Sequence, residues 1–168
     1  MSEENANAID PNTISIIVTK GSLDWAYPPY ILGTTAAAMG LDVTMFFTFY
    51  GLSLLKKDLN LQVTPLGNAA MEMPMAGGHM VMPNIVGMLP GVDAMASKMM
   101  KNLIKKNGVA SVEELRELAV EADVRMIACQ MTLELFDYKK EDLIDGIEIG
   151  GAATYIEVAT KSHINLFI

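Results

Sequence analysis

The sequence predicts a three-layer α/β domain, a mostly parallel sheet with helices on both faces. Three observations lead there. Short runs of β-branched and aromatic residues alternate along the chain with longer Ala- and Leu-rich or capped segments, the order that a parallel sheet with crossover helices requires. The second of these runs, Val43-Thr44-Met45-Phe46-Phe47-Thr48-Phe49, is largely apolar, as a strand covered on both faces must be. With 168 residues, 51% of them hydrophobic, the chain has material for one domain with a sizeable core.

Ile14-Ser15-Ile16-Ile17-Val18-Thr19 reads as the first strand, and Lys20-Gly21-Ser22 as the turn after it. Leu23 to Met39 suits a helix closed by a left-handed Gly40, with Pro28 and Pro29 tolerable only near its first turn. The second strand breaks at Gly51, and Leu52 to Leu59 reads as a short helix. Asn60 to about Met95 is irregular, and so long a loop marks function, disorder or an oligomer contact. Ala96 to Lys106 is helical up to Asn107-Gly108, and Ser111-Val112-Glu113-Glu114 is a capping box opening a helix to about Ala122. Val124 to Ala128 is a strand that delivers Cys129. Thr132 to Phe136 and Lys140 to Ile144 read as helical turns, Ile147-Glu148-Ile149 as a brief strand, Gly150-Gly151 as the opening of a helix through Ala159, and Ile164 to Ile168 as a terminal strand. Residues 1–12 are expected to be a flexible leader and residues 13–168 a single domain, with a Met-rich insertion at about 69–95.

Twelve Lys and Arg against 20 Asp and Glu give a formal charge of −8, so there is no basic field for phosphate backbones and nucleic acid is not an expected partner. One cysteine cannot form an internal disulfide, and the first residues are acidic and polar, so a cytoplasmic, reducing location is expected. Met73 to Val92 carries no charge and is long enough to raise the question of a membrane span. Its three prolines and four glycines would leave backbone groups unsatisfied in lipid, so it reads as a loop.

In doubly wound sheets, chemistry collects beyond the carboxyl ends of the strands, and Cys129 falls there. If a helix begins after it, free N–H groups and the helix dipole favour thiolate over thiol, and the same groups suit a persulfide. The alternative is a buried cysteine acting as a small hydrophobe. Gly21, Ser22 and Asp24 leave the first strand at the equivalent position and would approach Cys129 if those strands are neighbours; Tyr50, at the exit of the second, would supply an aromatic wall. No dinucleotide or phosphate-loop fingerprint occurs. Nine of the 14 methionines lie between Met71 and Met100, which with His79 suggests either an adaptable flap or interface, or soft ligands for Cu(I). The flap or interface is preferred. His79 and His163 have no partner at zinc-ligand spacing, so no metal and no cofactor is expected. Glu148 and Glu157, flanking the glycine pair, are surface or capping residues, or one is a proton partner for the thiol.

Five blocks in order carry a family resemblance. They are Lys20-Gly21-Ser22-Leu23-Asp24-Trp25-Ala26-Tyr27-Pro28-Pro29, Phe46-Phe47-Thr48-Phe49-Tyr50-Gly51-Leu52, Pro83-Asn84-Ile85-Val86-Gly87-Met88-Leu89-Pro90-Gly91, Ile127-Ala128-Cys129-Gln130-Met131-Thr132 and Gly150-Gly151-Ala152-Ala153-Thr154. Together they resemble the DsrE/DsrF/DsrH-like family, most closely a DsrE-like sulfur-relay branch with a Met-rich insertion. The resemblance implies a flavodoxin-like, doubly wound fold and assembly into a homo-oligomer, a trimer or hexamer. It also implies that the cysteine after the corresponding strand, here Cys129, accepts sulfane sulfur as a persulfide and passes it on. The partners would be sulfur donor and acceptor proteins or small sulfane-sulfur compounds. The function expected is therefore that of a sulfur carrier or sulfurtransferase. The alternative is a non-catalytic assembly or membrane-associated module in which Cys129 is structural.

Overall fold

Nine residues, Asp10–Val18, form the first strand, β1. The computed structural model of the chain describes residues 9–63, 66, 68, 72–75, 78–81 and 83–168. After β1 come α1 (Leu23–Ala38), β2 (Asp42–Phe47), a 3-10 turn (Phe49–Leu55), β3 (Glu72–Met75), β4 (Gly78–Val81), α2 (Asn84–Gly87), α3 (Val92–Lys106) and α4 (Val112–Glu121). The chain then runs through β5 (Arg125–Cys129), α5 (Gln130–Leu135), a second 3-10 turn (Lys140–Asp142), β6 (Glu148–Gly150), α6 (Ala152–Ala159) and β7 (Ser162–Phe167).

The chain divides into two units. The first comprises the chain up to Gly21, Trp25–Leu59 and Val112–Ile168, and the second Ser22–Asp24 and Asn60–Ser111. In the first unit, five strands make one parallel sheet in the order β6-β5-β2-β1-β7. The sheet grows outward from β1 through β2 and β5 to β6. The connection through α6 then returns across the face to set β7 on the far side of β1, and α6 touches β1, β6 and β7 on its way.

Alternation along β2 separates the two covered faces. Val43 and Met45 lie under Gly33 of α1, and Phe47 meets the ring of Tyr30 from the same helix at 6.0 Å. Phe46 points the other way and meets Tyr155 of α6 at 5.2 Å. Helices therefore lie on both faces, and the fold is the expected three-layer α/β arrangement. Beneath α6, the buried Ser15 hydroxyl of β1 donates to Asn165 Oδ1 and sits 3.1 Å from the Tyr155 hydroxyl.

The turn after β2 is pinned against the end of β1. Thr48 N–H donates to Val18 O, Gly51 N–H donates to Thr19 O, and a methyl group on Gly51 would overlap the Val18 carbonyl. The close approach of backbone to backbone is the reason for glycine there. At the far end of the turn, the buried Arg116 guanidinium of α4 donates to the carbonyls of Leu54 and Lys56. The Leu54 carbonyl also accepts from the Tyr30 hydroxyl of α1, so the buried end of the turn is held from two helices.

In the second unit, β3 and β4 form an antiparallel hairpin with Pro74 opposite His79. The Ser97 hydroxyl of α3 accepts from Val63 N–H at 3.0 Å and returns a bond to Val63 O, while Leu23 N–H donates to Gln62 O. Leu61, Val63 and Ala96 are buried there.

Several local expectations are corrected. The stretch from Asn60 to Met95 contains a hairpin, α2 and the first turn of α3, which begins at Val92 after a left-handed Gly91. Pro28 and Pro29 lie in the second turn of α1 rather than its first. The amide hydrogen bonds that they forgo are offset by the burial of Ala26 and Tyr30 on either side of them. β1 begins at Asp10, because Asp10 pairs with Ser162 of β7 and its amide donates to Lys161 O. Gly40 closes α1 with φ of 85°, as its position implied. Most of the expected leader, residues 1–8, and Met71 and Met82 of the Met-rich stretch lie outside the described residues. Among the described residues no helix is long and apolar enough to cross a membrane.

Gly51→Ala should lower stability by about 1–3 kcal/mol in a denaturant titration, the usual range for overpacking. An unchanged midpoint would mean that the 3-10 turn can lift away from β1 without loss.

Candidate thiol site

β5 ends on Cys129 because strand alternation and its neighbours place it there. Met126 and Ala128 stand in register with Met45 and Phe47, on the face covered by α1. Ile127 and Cys129 therefore face α6, where they form a cluster with Phe46 and Tyr155, and Cys129 is 4% exposed. Its strand partner on the other side is Gly150 of β6, and α5 starts at the next residue.

Two hydroxyls converge on this end of the sheet. Thr48, the first residue after β2, lies one position beyond the Phe47–Ala128 pair and so beside Cys129. Thr132, fully buried in the first turn of α5, has its Oγ1 3.2 Å from that of Thr48 and accepts the Phe49 N–H at 3.1 Å. Phe49 holds φ of 47°, a left-handed backbone that costs about 1 kcal/mol in a residue with a side chain. The backbone of Phe49 thereby ties the β2 exit to the helix that follows β5.

Burial opposes ionisation of the Cys129 thiol, but hydrogen bonds outweigh it. They come from the Thr132 hydroxyl and amide, the Thr48 hydroxyl and the Met131 amide, and they hold the thiol below its ordinary range. Among the described residues no ammonium or guanidinium contributes. α5 is only six residues long, so the individual donors matter here rather than a long helix dipole. Such a site favours the thiolate, the nucleophilic form of a cysteine, and can release the same thiolate as a leaving group.

A family model matches residues 10–167, almost all of the described chain. The chain belongs to the DsrE/DsrF/DrsH-like family. It is 57% identical over 160 residues to sulfur carrier protein DsrE2 of Allochromatium vinosum, covering 95% of this chain and 100% of that one. It is also 33% identical over 162 residues to the uncharacterised protein YrkE of Bacillus subtilis, covering 92% and 95%. Among solved structures, the ychN protein of E. coli superposes with a TM-score of 0.53 at 11% identity over 94% of this chain and 99% of that one, a likeness of fold alone. The family expected from the five sequence blocks is the family found.

The structure distributes the sequence-derived residues of this family member unevenly. Tyr50 follows Phe49, is 70% exposed, and stacks on Phe136 beyond the end of α5 at 5.8 Å between centroids, forming an aromatic shelf on the exits of β2 and β5. Gly21 lies beneath the same turn, where a side chain would overlap Tyr50 O and Ser53 Oγ, so its role is close approach. Ser22 donates to Asp24 Oδ1 at 2.7 Å, and Asn68 donates to the other carboxylate oxygen at 3.4 Å, all within the second unit. The supposed adjacency of the β1 and β5 exits is corrected, because β2 stands between the two strands. Glu148 is held bidentate by Arg125 at 2.8 Å and Glu157 pairs with Lys161 at 3.4 Å, both on the surface. Among the described residues no group of three or more His, Cys, Asp and Glu side chains is placed to hold a metal ion.

Thr48 and Thr132 were missed by sequence reasoning. Thr132 carried a signal in the spacing Cys-x-x-Thr, which returns a hydroxyl to the thiol after one helical turn. Thr48 carried none, since its place depends on β2 pairing with β5.

Two outcomes are expected. The thiolate fraction rises as pH passes upward through the thiol pKa, so a lowered pKa means that thiolate persists to lower pH. The ultraviolet absorbance of the Cys129 thiolate should therefore titrate below that of an unstructured cysteine peptide, and a midpoint at or above the peptide's would contradict the hydrogen-bond assignment. The second outcome concerns the glycine pair. A methyl on Gly150 would crowd Ile127 and Thr154, whereas one on Gly151 meets open space. Thermal melts should show Gly150→Ala destabilised by about 1–3 kcal/mol and Gly151→Ala within about 1 kcal/mol of wild type.

Proposed function

We propose that this protein is a sulfur carrier that holds sulfane sulfur as a persulfide on Cys129 and passes it to a partner thiol in the cytoplasm. The observation that carries the proposal is the 57% identity, over the whole length of the relative, to a protein named as a sulfur carrier. The site supports it, because hydrogen bonding from Thr132, Thr48 and Met131 outweighs burial and holds the thiol of the single cysteine below its ordinary range.

In the loading step the Cys129 thiolate attacks the outer sulfur of a donor persulfide R–S–SH. The new S–S bond forms as the donor's own S–S bond breaks, giving Cys129–S–SH and the donor thiolate. In the unloading step an acceptor thiolate attacks the outer sulfur, and Cys129 departs as thiolate. No net oxidant or reductant is consumed. The outer sulfur of such a persulfide stands about 2 Å from Sγ, the length of an S–S bond. The partners are accordingly a sulfur donor and a sulfur acceptor, proteins or small sulfane-sulfur compounds. A homo-oligomer, trimer or hexamer, is the proposed assembly, and no nucleic acid or cofactor enters the scheme. A membrane-associated module with a structural Cys129 is not favoured, since the donors gathered on the thiol have no purpose in that reading.

Intact-protein mass spectrometry under non-reducing conditions, after incubation with polysulfide or thiosulfate, tests the proposal. Wild type should gain mass in steps of one sulfur atom, removable by reductant, and Cys129→Ser should gain none. Equal uptake by both proteins, or none by wild type with any sulfane donor, would overturn the assignment.

A further inference from the structure

The five-stranded sheet has two edges, and they are built differently. At one edge, β6 is three residues long and carries Glu148, held by Arg125. Short length and charge are the usual guards of a sheet edge. At the other, β7 runs for six residues and has no second strand neighbour among the described residues. Ser162-His163-Ile164-Asn165-Leu166-Phe167-Ile168 contains no Asp, Glu, Lys, Arg or Pro, in a chain of formal charge −8. The register with β1 shifts before Ile164, where β1 takes up extra residues, and is regular from Ile164 onward.

Backbone groups on this edge follow a fixed pattern. Ile168 N–H donates to Ile17 O, and Ile168 O accepts from Thr19 N–H, so both groups of Ile168 face β1. By alternation those of Leu166 and Ile164 face β1 as well, and those of Asn165 and Phe167 face away from it. His163, beside the register shift, turns its N–H to Thr13 Oγ1 and does not belong to the outward set. The side chains alternate too. Ile164 and Leu166, in register with Ile14 and Ile16, lie on the α1 side, and Asn165 and Phe167, in register with Ser15 and Ile17, on the α6 side. Ile164 is 38% exposed and Phe167 74%.

We propose that β7 pairs antiparallel with β7 of a second copy of this chain, about a two-fold axis at Leu166, joining two five-stranded sheets into one. The inference rests on the proposed homo-oligomer and names its surface; it is independent of the chemistry at Cys129. With the axis at Leu166, Asn165 stands opposite Phe167 of the second copy and Phe167 opposite Asn165 of the second copy. Each such pair exchanges two N–H···O bonds, so every outward amide and carbonyl of Asn165 and Phe167 finds a partner. Leu166 meets its own counterpart and Ile164 meets Ile168 of the second copy, apolar against apolar on the α1 side. Charge selects a second copy as the occupant. Two chains of charge −8 repel over most of their surfaces, and β7 lets them meet with no carboxylate on either strand. An acidic or basic partner would find no charge on this strand to read. The outward set is also its own complement under two-fold rotation, which an isologous contact requires. Such a contact alone makes a dimer, and with a three-fold contact a hexamer; a trimer has no place for it.

Phe167→Pro removes an N–H that faces away from β1, so the sheet of the single chain keeps its bonds while pairing across the axis is blocked. Phe167→Lys puts a charge at the same exposed position and tests the edge should the proline disturb folding, which circular dichroism reads. Size exclusion with light scattering should give an even subunit number for wild type and half that number for both variants. In a Cys129→Ser background, Leu166→Cys should form a disulfide between copies under a mild oxidant, because directly opposed residues of a non-hydrogen-bonded pair have Cα atoms about 4.5 Å apart. Ile164→Cys, which does not face its own counterpart, should form none. A trimeric wild type, variants that keep the wild-type subunit number, or equal cross-linking at the two positions would overturn the β7 pairing and leave a homo-oligomer standing. A monomeric wild type would overturn both.

Discussion

Parallel pairing of β2 with β5, in the register that sets Phe47 beside Ala128, is the constraint on which the thiol site depends. Each strand leaves the sheet at the same end, so the residue after Phe47 and the residue after Ala128 emerge side by side. One is Thr48 and the other Cys129. A shift of one residue would turn Cys129 towards α1 and exchange its polar neighbours for the apolar side of the sheet. The register is secured by burial on both faces, with Met45 and Phe47 under α1 and Phe46 and Ile127 under α6, all nearly inaccessible.

Two opposing effects meet at the sulfur. Burial in an apolar cluster raises the cost of charge, and hydrogen bonds from Thr132, Thr48 and Met131 lower it by more. Under the proposed carrier role both would serve: exclusion of water would protect a persulfide, while directional donors would keep the thiolate available as nucleophile and leaving group. An ammonium or guanidinium partner would also favour the anion, but at this depth its own desolvation would have to be compensated. Hydroxyls and amides cost less to bury because they are neutral and, as here, bonded.

The left-handed Phe49 and the close contact at Gly51 belong to the same economy of space. The 3-10 turn folds back over the end of β1 so tightly that glycine is required where it touches Val18 O. Phe49 is bent to deliver its amide to Thr132. Arg116 fastens the other end of the turn through two carbonyls. Strain and close packing in this turn sit above the buried carboxyl ends of β1 and β2.

The amino-acid sequence by itself determined the layer architecture, most element positions, the family and the place of Cys129 at the end of a strand. Those features are carried by local pattern: apolar runs of strand length, the capping box at Ser111, the glycines after helices, and a cysteine at a strand exit. Strand order, the early start of β1, the hairpin inside the Met-rich stretch and the company around Cys129 were decided only by tertiary structure. Each depends on which distant segment supplies a hydrogen-bonding edge or a covering face: β7 for Asp10, β2 for β5, α6 for Ile127. Sequence proximity suggested Gly21 and Asp24 as neighbours of the thiol, but the insertion of β2 between β1 and β5 brought Thr48 instead. Hydrogen-bonded edges are satisfied by whatever strand the whole sheet can place there, and that choice is made by the chain as a unit and not by any segment alone.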